Sequence, residues 1–273
     1  MKSPGGGHGE TGAAWDVVAK AKYSAEFDEH VAMLKAGDHK LLAPEVDVLG
    51  PLLQGSDVVQ LQCSHGLDAL GLLNLGARSV TGVDISAEMV AQAKAKAEAV
   101  GTTAASFLCS DVVNLPSSLA EKADLVYTGR GSLNWIHDIV AWAESVRSVL
   151  RPGGRAYIFE GHPLTALWER ESDGLELREG ATYFDEGVSE HAGFPSSVVE
   201  RELGSDRPRM LERQWRPGEV MGALISAGLR IELFREYPDL FWDQFPEWPE
   251  ELRRALPKSY AILVLRPLDR GST

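Results

Sequence analysis

A glycine and two aspartates stand at the ends of predicted strands. Gly66 lies in the turn after the apolar run DVVQLQC, Asp84 is near the end of SVTGVDI, and Asp111 ends ASFLCSD. In a doubly wound sheet, an acid at the end of the second strand lies beside the first turn and can accept both hydroxyls of a ribose. Asp111 and the adjoining backbone can bind the exocyclic amine and a ring nitrogen of adenine. These residues predict a site for an adenosine-bearing cofactor.

The turn that contains Gly66 has a single glycine, in the stretch QCSHG at residues 62–66. A dinucleotide fold places a pyrophosphate on this turn and requires small residues at three positions. Here His65 and Leu67 flank the glycine, so a pyrophosphate would be poorly accommodated. The turn therefore disfavours a nicotinamide-dependent oxidoreductase, which is kept as an alternative.

Strand-length and helix-period segments alternate from residue 57 onward. Strands are predicted at 57–63, 79–85, 105–111, 123–129 and 155–161, and glycines are expected to end the second and third helices between them. Two later strands, 230–238 and 259–267, are joined by a segment without a crossover helix, so we expect them to pair antiparallel. The pattern predicts a Rossmann-like α/β fold whose mostly parallel seven-stranded sheet has an antiparallel hairpin at one edge.

The remaining segments suggest how the chain is organised. Residues 1–12 are predicted to form a disordered tail and residues 13–273 a single domain. Extra segments at the carboxyl end of an open sheet usually cover a ligand crevice. We therefore expect an N-terminal helical cover (13–50), a cofactor-binding core (55–161), a substrate-cover insertion (162–215) and a C-terminal helix with a strand hairpin (216–273).

Four stretches resemble the motifs of the class I S-adenosylmethionine-dependent methyltransferases, in particular those that act on small molecules. They are VVQLQCSHG, VTGVDISAEMVAQA, FLCSDVVNLP and ADLVYTGRGSLNWIHD, and VLRPGGRAYIFEGH follows in the usual place. The resemblance spans about residues 55–160 by motif, and its most specific parts are the second motif and the turn LRPGG. The first motif departs from the family, which commonly has an acid in the first strand and glycines at the turn, whereas this chain has Gln60, Gln62 and Ser64.

The resemblance implies S-adenosylmethionine as the cofactor and S-adenosylhomocysteine as its product. By position in the motifs, Asp84 would bind the ribose hydroxyls. Ile85 and Met89 would pack against the adenine. The edge of the adenine would be read at the end of the third strand, by Ser110, Asp111 and Val112.

The resemblance also implies which residues surround the methionine part of the cofactor. They are expected at the first turn and at the end of the fourth strand, and they are Gln62, Cys63, Ser64, Gly66, Thr128 and Gly129. Because the first strand lacks its usual acid, Trp15, Tyr23 or the carbonyls of the turn are expected to help hold the methionine amine.

Methyl transfer from a sulfonium is an in-line displacement, in which the protein mainly aligns the nucleophile with the methyl group. A base is needed when the acceptor is a phenol, an N–H group or a nitrogen heterocycle. The candidates are His137, His162, Glu236 and Tyr23. Glu236 lies in a run rich in Trp, Phe and Pro, and burial among such side chains would raise its pKa. Two alternatives stay open, that His137 caps the following helix and that His162 only bonds the adjacent chain.

The overall composition excludes several kinds of partner. A net charge of −13 over 273 residues argues against nucleic acid, because phosphate contacts require clustered Lys and Arg. No apolar run approaches the roughly 18 residues of a membrane span, and the N-terminal stretch does not resemble a signal peptide, so we expect a cytoplasmic protein. Cys63 and Cys109 form no disulfide framework, and no carboxylate cluster has the spacing of a metal site. The oligomeric state is left open.

Aromatic residues are concentrated in the predicted cover, namely Trp135, Trp168, Tyr183, Phe184, Trp242, Phe245 and Trp248. They favour a flat, partly apolar acceptor such as an indole, a phenol or a fused nitrogen heterocycle. The sequence thus predicts methyl transfer to N, C or O of a small aromatic or nitrogen-heterocyclic metabolite, in natural-product biosynthesis. A second alternative is a protein that binds S-adenosylmethionine without catalysis.

Overall fold

The computed structural model describes residues 7–170, 172–190 and 210–268. Its strands are β1 (Asp57–Leu61), β2 (Ser79–Asp84), β3 (Ala105–Cys109), β4 (Ala123–Gly129), β5 (Leu150–Gly161), β6 (Ser189–Glu190), β7 (Leu211–Glu212), β8 (Arg230–Tyr237) and β9 (Ser259–Leu265). Its α-helices are α1 (Gly7–Val18), α2 (Phe27–Lys35), α3 (Ala43–Leu53), α4 (Leu67–Asn74), α5 (Ala87–Val100), α6 (Ile139–Val149), α7 (Pro217–Ser226) and α8 (Glu250–Arg253). A π-helical turn, Ala19–Tyr23, follows α1.

Seven strands form one sheet in the order β3-β2-β1-β4-β5-β9-β8. Strands β1 to β5 pair in parallel, and β9 pairs antiparallel with both β5 and β8. The predicted mostly parallel sheet with an antiparallel C-terminal hairpin is therefore confirmed. The carboxyl ends of β1 to β4 meet at one edge, where open α/β sheets bind ligands.

Helices cover both faces of the sheet, which explains why its central strands are almost wholly apolar. On one face Trp142 of α6 and Leu224 of α7 are fully buried against the sheet. On the other face Leu49 of α3, Leu70 of α4 and Ala93 of α5 are buried in a second core cluster. Burial of a large apolar side chain contributes about 1.5–3 kcal/mol, so these layers hold the strand ends in fixed positions.

The ends of two helices test the predicted glycine stops. Ser86 is the N-cap of α5, because its Oγ accepts a hydrogen bond from the N–H of Met89 at 3.1 Å, and Gly101 ends that helix in a left-handed conformation. The predicted glycine stop of α6 is wrong. That helix ends at Val149, and the glycines that follow lie within β5, which begins at Leu150.

Two predicted boundaries also differ from the structure. Residues 7–12 belong to α1, so the predicted tail is wrong for them, while residues 1–6 lie outside the described part of the chain. The insertion 162–215 contains a 3₁₀ turn (Pro163–Leu167) and the β6–β7 hairpin, and its residues 171 and 191–209 also lie outside the described part. Among the described helices, none has the length and apolar character required to cross a membrane.

Candidate functional site

A cavity of about 440 Å³ lies at the carboxyl ends of β1 to β4 and is referred to below as the inner cavity. Its volume is within the range typical of small-molecule and cofactor sites. Most of the residues predicted to contact the cofactor line it, namely Trp15, Tyr23, Gln62, Cys63, Ser64, Asp84, Ile85, Met89, Asp111, Val112 and Gly129. The fold therefore brings together, around one space, residues from the N-terminal segment and from the ends of the first four strands.

The first turn keeps a glycine-type backbone although it has only one glycine. Gln62 and Ser64 have φ angles of 53° and 50°, in the left-handed region that side chains disfavour. The side chain of Gln62 compensates, because its Nε2 donates to the carbonyl of Ser132 at 2.7 Å and its Oε1 accepts from Thr128 Oγ1 at 3.1 Å. Gln62 thus ties the turn to β4 and the loop that follows it.

Gly66 serves packing and is not part of the lining of the inner cavity. A Cβ atom at this position would lie 2.5 Å from Cβ of Ala93 on α5, and the φ angle of Gly66 is 78°. The glycine therefore allows α4 to start close against α5. Thr128, another predicted contact, is fully buried behind the lining and bonds Gln62 and Ser132.

Asp84 is held beside the first turn by backbone donors. Its Oδ2 accepts the N–H of Ser64 at 2.7 Å, and its Oδ1 accepts the N–H of Ser86 at 2.9 Å. Burial raises the pKa of Asp84 to about 6, although these two hydrogen bonds act in the opposite direction. Each carboxylate oxygen retains a lone pair, so the pair can still accept two hydroxyl groups from a ligand in the cavity.

The end of β3 contributes a second acid. Asp111 lines the inner cavity together with Val112, and its Oδ1 accepts the N–H of Val113 at 3.1 Å. Ser110, which was predicted to join them, is not part of the lining. Its N–H donates to the carbonyl of Asp84 at 2.8 Å and continues the pairing of β2 with β3.

The loop after β4 is shaped by a buried acid that the sequence analysis missed. Glu160, near the end of β5, accepts hydrogen bonds from the N–H groups of Gly131, Ser132 and Leu133 at 2.8, 3.1 and 3.2 Å, and from Ser132 Oγ at 2.7 Å. Burial raises the pKa of Glu160 to about 7. The only signal in the sequence was an acid inside the apolar run YIFEG.

The same loop requires a glycine at Gly129. A Cβ atom there would lie 2.6 Å from the carbonyl oxygen of Phe159 on β5. Arg130 follows with a φ angle of 66°, and its N–H donates to that carbonyl. The loop thus crosses close over β5, and its residues Arg130 and Gly131 line the inner cavity.

A second cavity of about 280 Å³, called here the outer cavity, adjoins the first. The two share a wall made of Trp15, Arg130, Gly131, Trp135, Phe241 and Trp242. Within this wall the rings of Trp15 and Trp135 meet edge to face, with centroids 5.3 Å apart. Trp168 adds a further aromatic surface on the outer side. Phe245 and Trp248 instead stack on each other in buried positions outside both linings.

Of the predicted bases, His162 alone lines the outer cavity. Its Nδ1 accepts the N–H of Leu164 at 3.2 Å, and its Nε2 lies 3.1 Å from Oε1 of Glu236. Burial lowers the pKa of His162, and Glu236 acts against that shift. Glu236 lies on the edge strand β8, and its side chain is 46% exposed, so the predicted apolar enclosure of Glu236 is wrong.

The other two predicted bases lie elsewhere. Nε2 of His137 is 3.2 Å from the carbonyl of Leu211 on β7, and His137 lines neither cavity. It is not the cap of α6 either, because Asp138 Oδ1 accepts the N–H of Ala141. Tyr23 lies in the inner cavity with its ring 4.1 Å from that of His65, and burial raises its pKa well above the ordinary value.

Glu212 is a residue of the outer cavity that the sequence analysis missed. It lies on β7, and burial raises its pKa to about 7, although Arg170 and Arg178 act to lower it. No periodic pattern surrounds Glu212 in the sequence. Its place in the cavity depends on the pairing of β6 with β7 and was not predictable locally.

Known proteins match part of this chain in sequence and most of it in fold. Residues 58–154 match a family model described as a methyltransferase domain. No curated protein sequence matches the chain. Among solved structures, an S-adenosylmethionine-dependent methyltransferase from Mesorhizobium loti is 22% identical over 82% of this chain and 96% of its own, with a TM-score of 0.58.

Two further structures share the fold. An S-adenosylmethionine-dependent methyltransferase of Listeria monocytogenes is 17% identical over 82% of this chain and 98% of its own, with a TM-score of 0.60. A methyltransferase of Haloferax volcanii, solved with the Trm112 methyltransferase activator, is 19% identical over 96% of this chain and 99% of its own, with a TM-score of 0.61. Residues 58–154 thus match a methyltransferase domain, and the chain shares the fold of S-adenosylmethionine-dependent methyltransferases.

Proposed function

We propose that this enzyme methylates a small aromatic or nitrogen-heterocyclic metabolite that binds in the outer cavity. The observation that carries the proposal is the wall shared by the two cavities. Methyl transfer requires the donor and the acceptor to be held in line at near-contact distance. Adjoining cavities with a common wall provide that arrangement, one for the cofactor and one for the acceptor.

The residues of the inner cavity suit S-adenosylmethionine, which when bound supplies a methyl group on a sulfonium sulfur. The carboxylate of Asp84 is positioned to accept the ribose hydroxyls, and Asp111 with the backbone of Val112 can bind the adenine edge. Gln60 also faces this cavity, and within the described part of the chain its Oε1 is a buried acceptor without a hydrogen-bond partner. Such an atom fits a polar ligand at this position.

The outer cavity favours a flat acceptor. Its aromatic surface is formed by Trp135, Trp168, Phe241 and Trp242. Rings of this kind pack against planar ligands and exclude water from the reacting atoms. The proposal therefore includes an indole-, phenol- or heterocycle-like acceptor, of the kind found among natural-product precursors.

The base that the geometry supports best is Glu212. It lines the outer cavity, and a pKa of about 7 suits a group that accepts a proton near neutral pH. His162 lines the same cavity, but Nδ1 of its neutral ring already accepts the N–H of Leu164, and its Nε2 faces Glu236, so no ring nitrogen is placed to take a proton from an acceptor. We therefore assign His162 and Glu236 a positioning role at the cavity wall and leave proton removal to Glu212.

A screen with methyl-labelled S-adenosylmethionine and a panel of metabolites tests the proposal. Label should appear in aromatic or heterocyclic compounds. Trp168→Ala should raise KM for the acceptor while leaving the affinity for S-adenosylhomocysteine unchanged, because Trp168 lines the outer cavity only. Label in aliphatic compounds alone would contradict the proposed acceptor class. Binding of S-adenosylhomocysteine without transfer to any compound would instead support a binding protein without catalysis.

A further inference from the structure

Among the described residues, β1 contributes no acid to the lining of the inner cavity that could receive a positively charged amine. Gln60 occupies that part of β1, and its side chain is neutral and 4% exposed. An amide oxygen accepts hydrogen bonds but adds no charge, whereas an ammonium group is held best by a charged acceptor. A carboxylate from another element would therefore be needed.

Asp68 is such a carboxylate. It is the second residue of α4 and lines the inner cavity, as Gln60 does. Its Oδ1 accepts a hydrogen bond from Nη1 of Arg130 at 3.1 Å. Among the described residues Arg130 is its one hydrogen-bond partner, so Oδ2 keeps its acceptor capacity toward the cavity. Burial raises the pKa of Asp68, while Arg130 lowers it.

Arg130 does not cancel this negative charge, because a second acid shares it. Nη2 of Arg130 lies 2.7 Å from Oε2 of Glu45, its Nε lies 3.2 Å from the same atom, and Nη2 also donates to the carbonyl of Lys40 at 2.6 Å. Glu45 is fully buried, and its Oε1 accepts the hydroxyl of Tyr127. One guanidinium thus stands between two carboxylates.

The balance of charge at this end of the cavity is therefore negative. Nearby charges interact strongly where water is excluded, and an excess buried carboxylate is stabilised by a cation. Of the two acids, Asp68 is the one that lines the cavity, whereas Glu45 does not. His39 is a further group near Asp68 and, like Arg130, lowers the pKa of Asp68. A cationic ligand group beside Asp68 would complete the pairing.

We infer that Asp68 binds the α-ammonium group of the cofactor's methionine part, with the amide oxygen of Gln60 as a second acceptor. The acid is thereby supplied by the first turn of α4 and not by β1. The inference rests on the assignment of S-adenosylmethionine to the inner cavity and does not depend on the identity of the acceptor.

Calorimetric titrations of Asp68→Asn with two ligands test the inference. S-Adenosylhomocysteine contains the amine, whereas 5′-methylthioadenosine retains the adenosine and the sulfur but lacks the amino-acid part. We expect Asp68→Asn to weaken S-adenosylhomocysteine binding about 10- to 100-fold, the effect of losing one charged hydrogen bond, and to leave 5′-methylthioadenosine binding unchanged. The asparagine oxygen can still accept from Arg130, so the network should persist.

Asp28→Asn is the matched control, because Asp28 is likewise the second residue of a helix, α2, and is exposed. It should leave both affinities unchanged. An equal loss of affinity for both ligands in Asp68→Asn would show a structural role and overturn the inference. An unchanged affinity for S-adenosylhomocysteine would overturn it as well. If wild type binds neither ligand, the cofactor assignment itself fails.

A third ligand makes the test independent of any variant. In the analogue of S-adenosylhomocysteine that has a hydroxyl in place of the α-amine, the positive charge is absent. Wild type should bind this analogue about 10- to 100-fold more weakly than S-adenosylhomocysteine. In Asp68→Asn the difference between the two affinities should be much smaller. Equal binding of the two ligands by wild type would overturn the inference even if Asp68→Asn failed to fold.

Discussion

Nε2 of His162 lies 3.1 Å from the carboxylate oxygen Oε1 of Glu236, while Nδ1 of the same ring accepts the N–H of Leu164. An imidazole that accepts at Nδ1 and faces a carboxylate at Nε2 carries its proton on Nε2. Both nitrogens are therefore engaged when the ring is neutral. The pair fixes the wall of the outer cavity by joining the end of β5 to β8.

The pKa of His162 should appear in the pH dependence of stability. Burial lowers this pKa below the ordinary 6.5. As the pH falls below 6.5, His162 is therefore protonated in the unfolded chain before it is protonated in the folded protein. The contribution of His162 is thus complete above about pH 6.5 and is lost as the pH falls below it. Urea denaturation should show that the free energy of unfolding falls more between pH 7.5 and pH 5.5 for wild type than for His162→Gln. An identical loss in both proteins would contradict the buried, neutral ring.

Asp84 should make cofactor binding depend on pH. With a pKa of about 6, its carboxylate is ionised at pH 7.5 and protonated at pH 5, and only the ionised form accepts two hydroxyl protons. The affinity for S-adenosylhomocysteine should therefore fall about 10-fold between these pH values, as calorimetry can measure. Asp84→Asn should bind more weakly at pH 7.5 and show a much flatter profile. A wild-type affinity that does not change with pH would place the ribose elsewhere.

Glu160 should be important for stability and for the shape of the inner cavity. In Glu160→Gln an amide NH₂ replaces one of the oxygens that accept from Gly131, Ser132 and Leu133. Leaving a buried donor unpaired costs about 1–3 kcal/mol, so the free energy of unfolding should fall by that amount. S-Adenosylhomocysteine should also bind more weakly, because this loop lines the cavity. Unchanged stability in urea denaturation would show that the loop does not depend on Glu160.

Glu212 should control turnover through its ionisation. A base with a pKa of about 7 works in its deprotonated form, so kcat/KM should rise with pH and level off above about pH 7. Glu212→Gln should lower kcat by about 10²- to 10⁴-fold and leave S-adenosylhomocysteine affinity intact. Glu144→Gln, an exposed change of the same kind on α6, is the control. Full activity of Glu212→Gln would remove Glu212 as the base.

The features of the fold and the site that local periodicity sets were predictable from the sequence. Asp84 and Asp111 end apolar runs, and a parallel sheet must bring such ends to one edge, so their place in the inner cavity followed from strand order. The left-handed φ angles at Gln62 and Ser64 explain why the family commonly has glycines at this turn. In this chain the side-chain hydrogen bond of Gln62 stabilises the backbone conformation that a glycine would adopt more easily.

The parts that were missed depend on tertiary contacts. Glu236 lies in an aromatic-rich run, yet β8 is an edge strand and leaves its side chain half exposed. Glu212 has no local signal, and Glu160 has only that of an acid inside an apolar run, because the groups around each of them come from distant or irregular segments of the chain. Asp68 lies two residues after Gly66 in the sequence, but nothing local indicates its role. That role depends on the ion pairs that Arg130 forms with Asp68 and with Glu45 in the folded chain.

A calorimetric titration of the wild-type protein with S-adenosylhomocysteine and, separately, with NAD decides which cofactor the inner cavity binds. We expect one S-adenosylhomocysteine site per chain, weakened by Asp84→Ala, and no binding of NAD. Tight binding of NAD together with no binding of S-adenosylhomocysteine would contradict the assignment of the inner cavity.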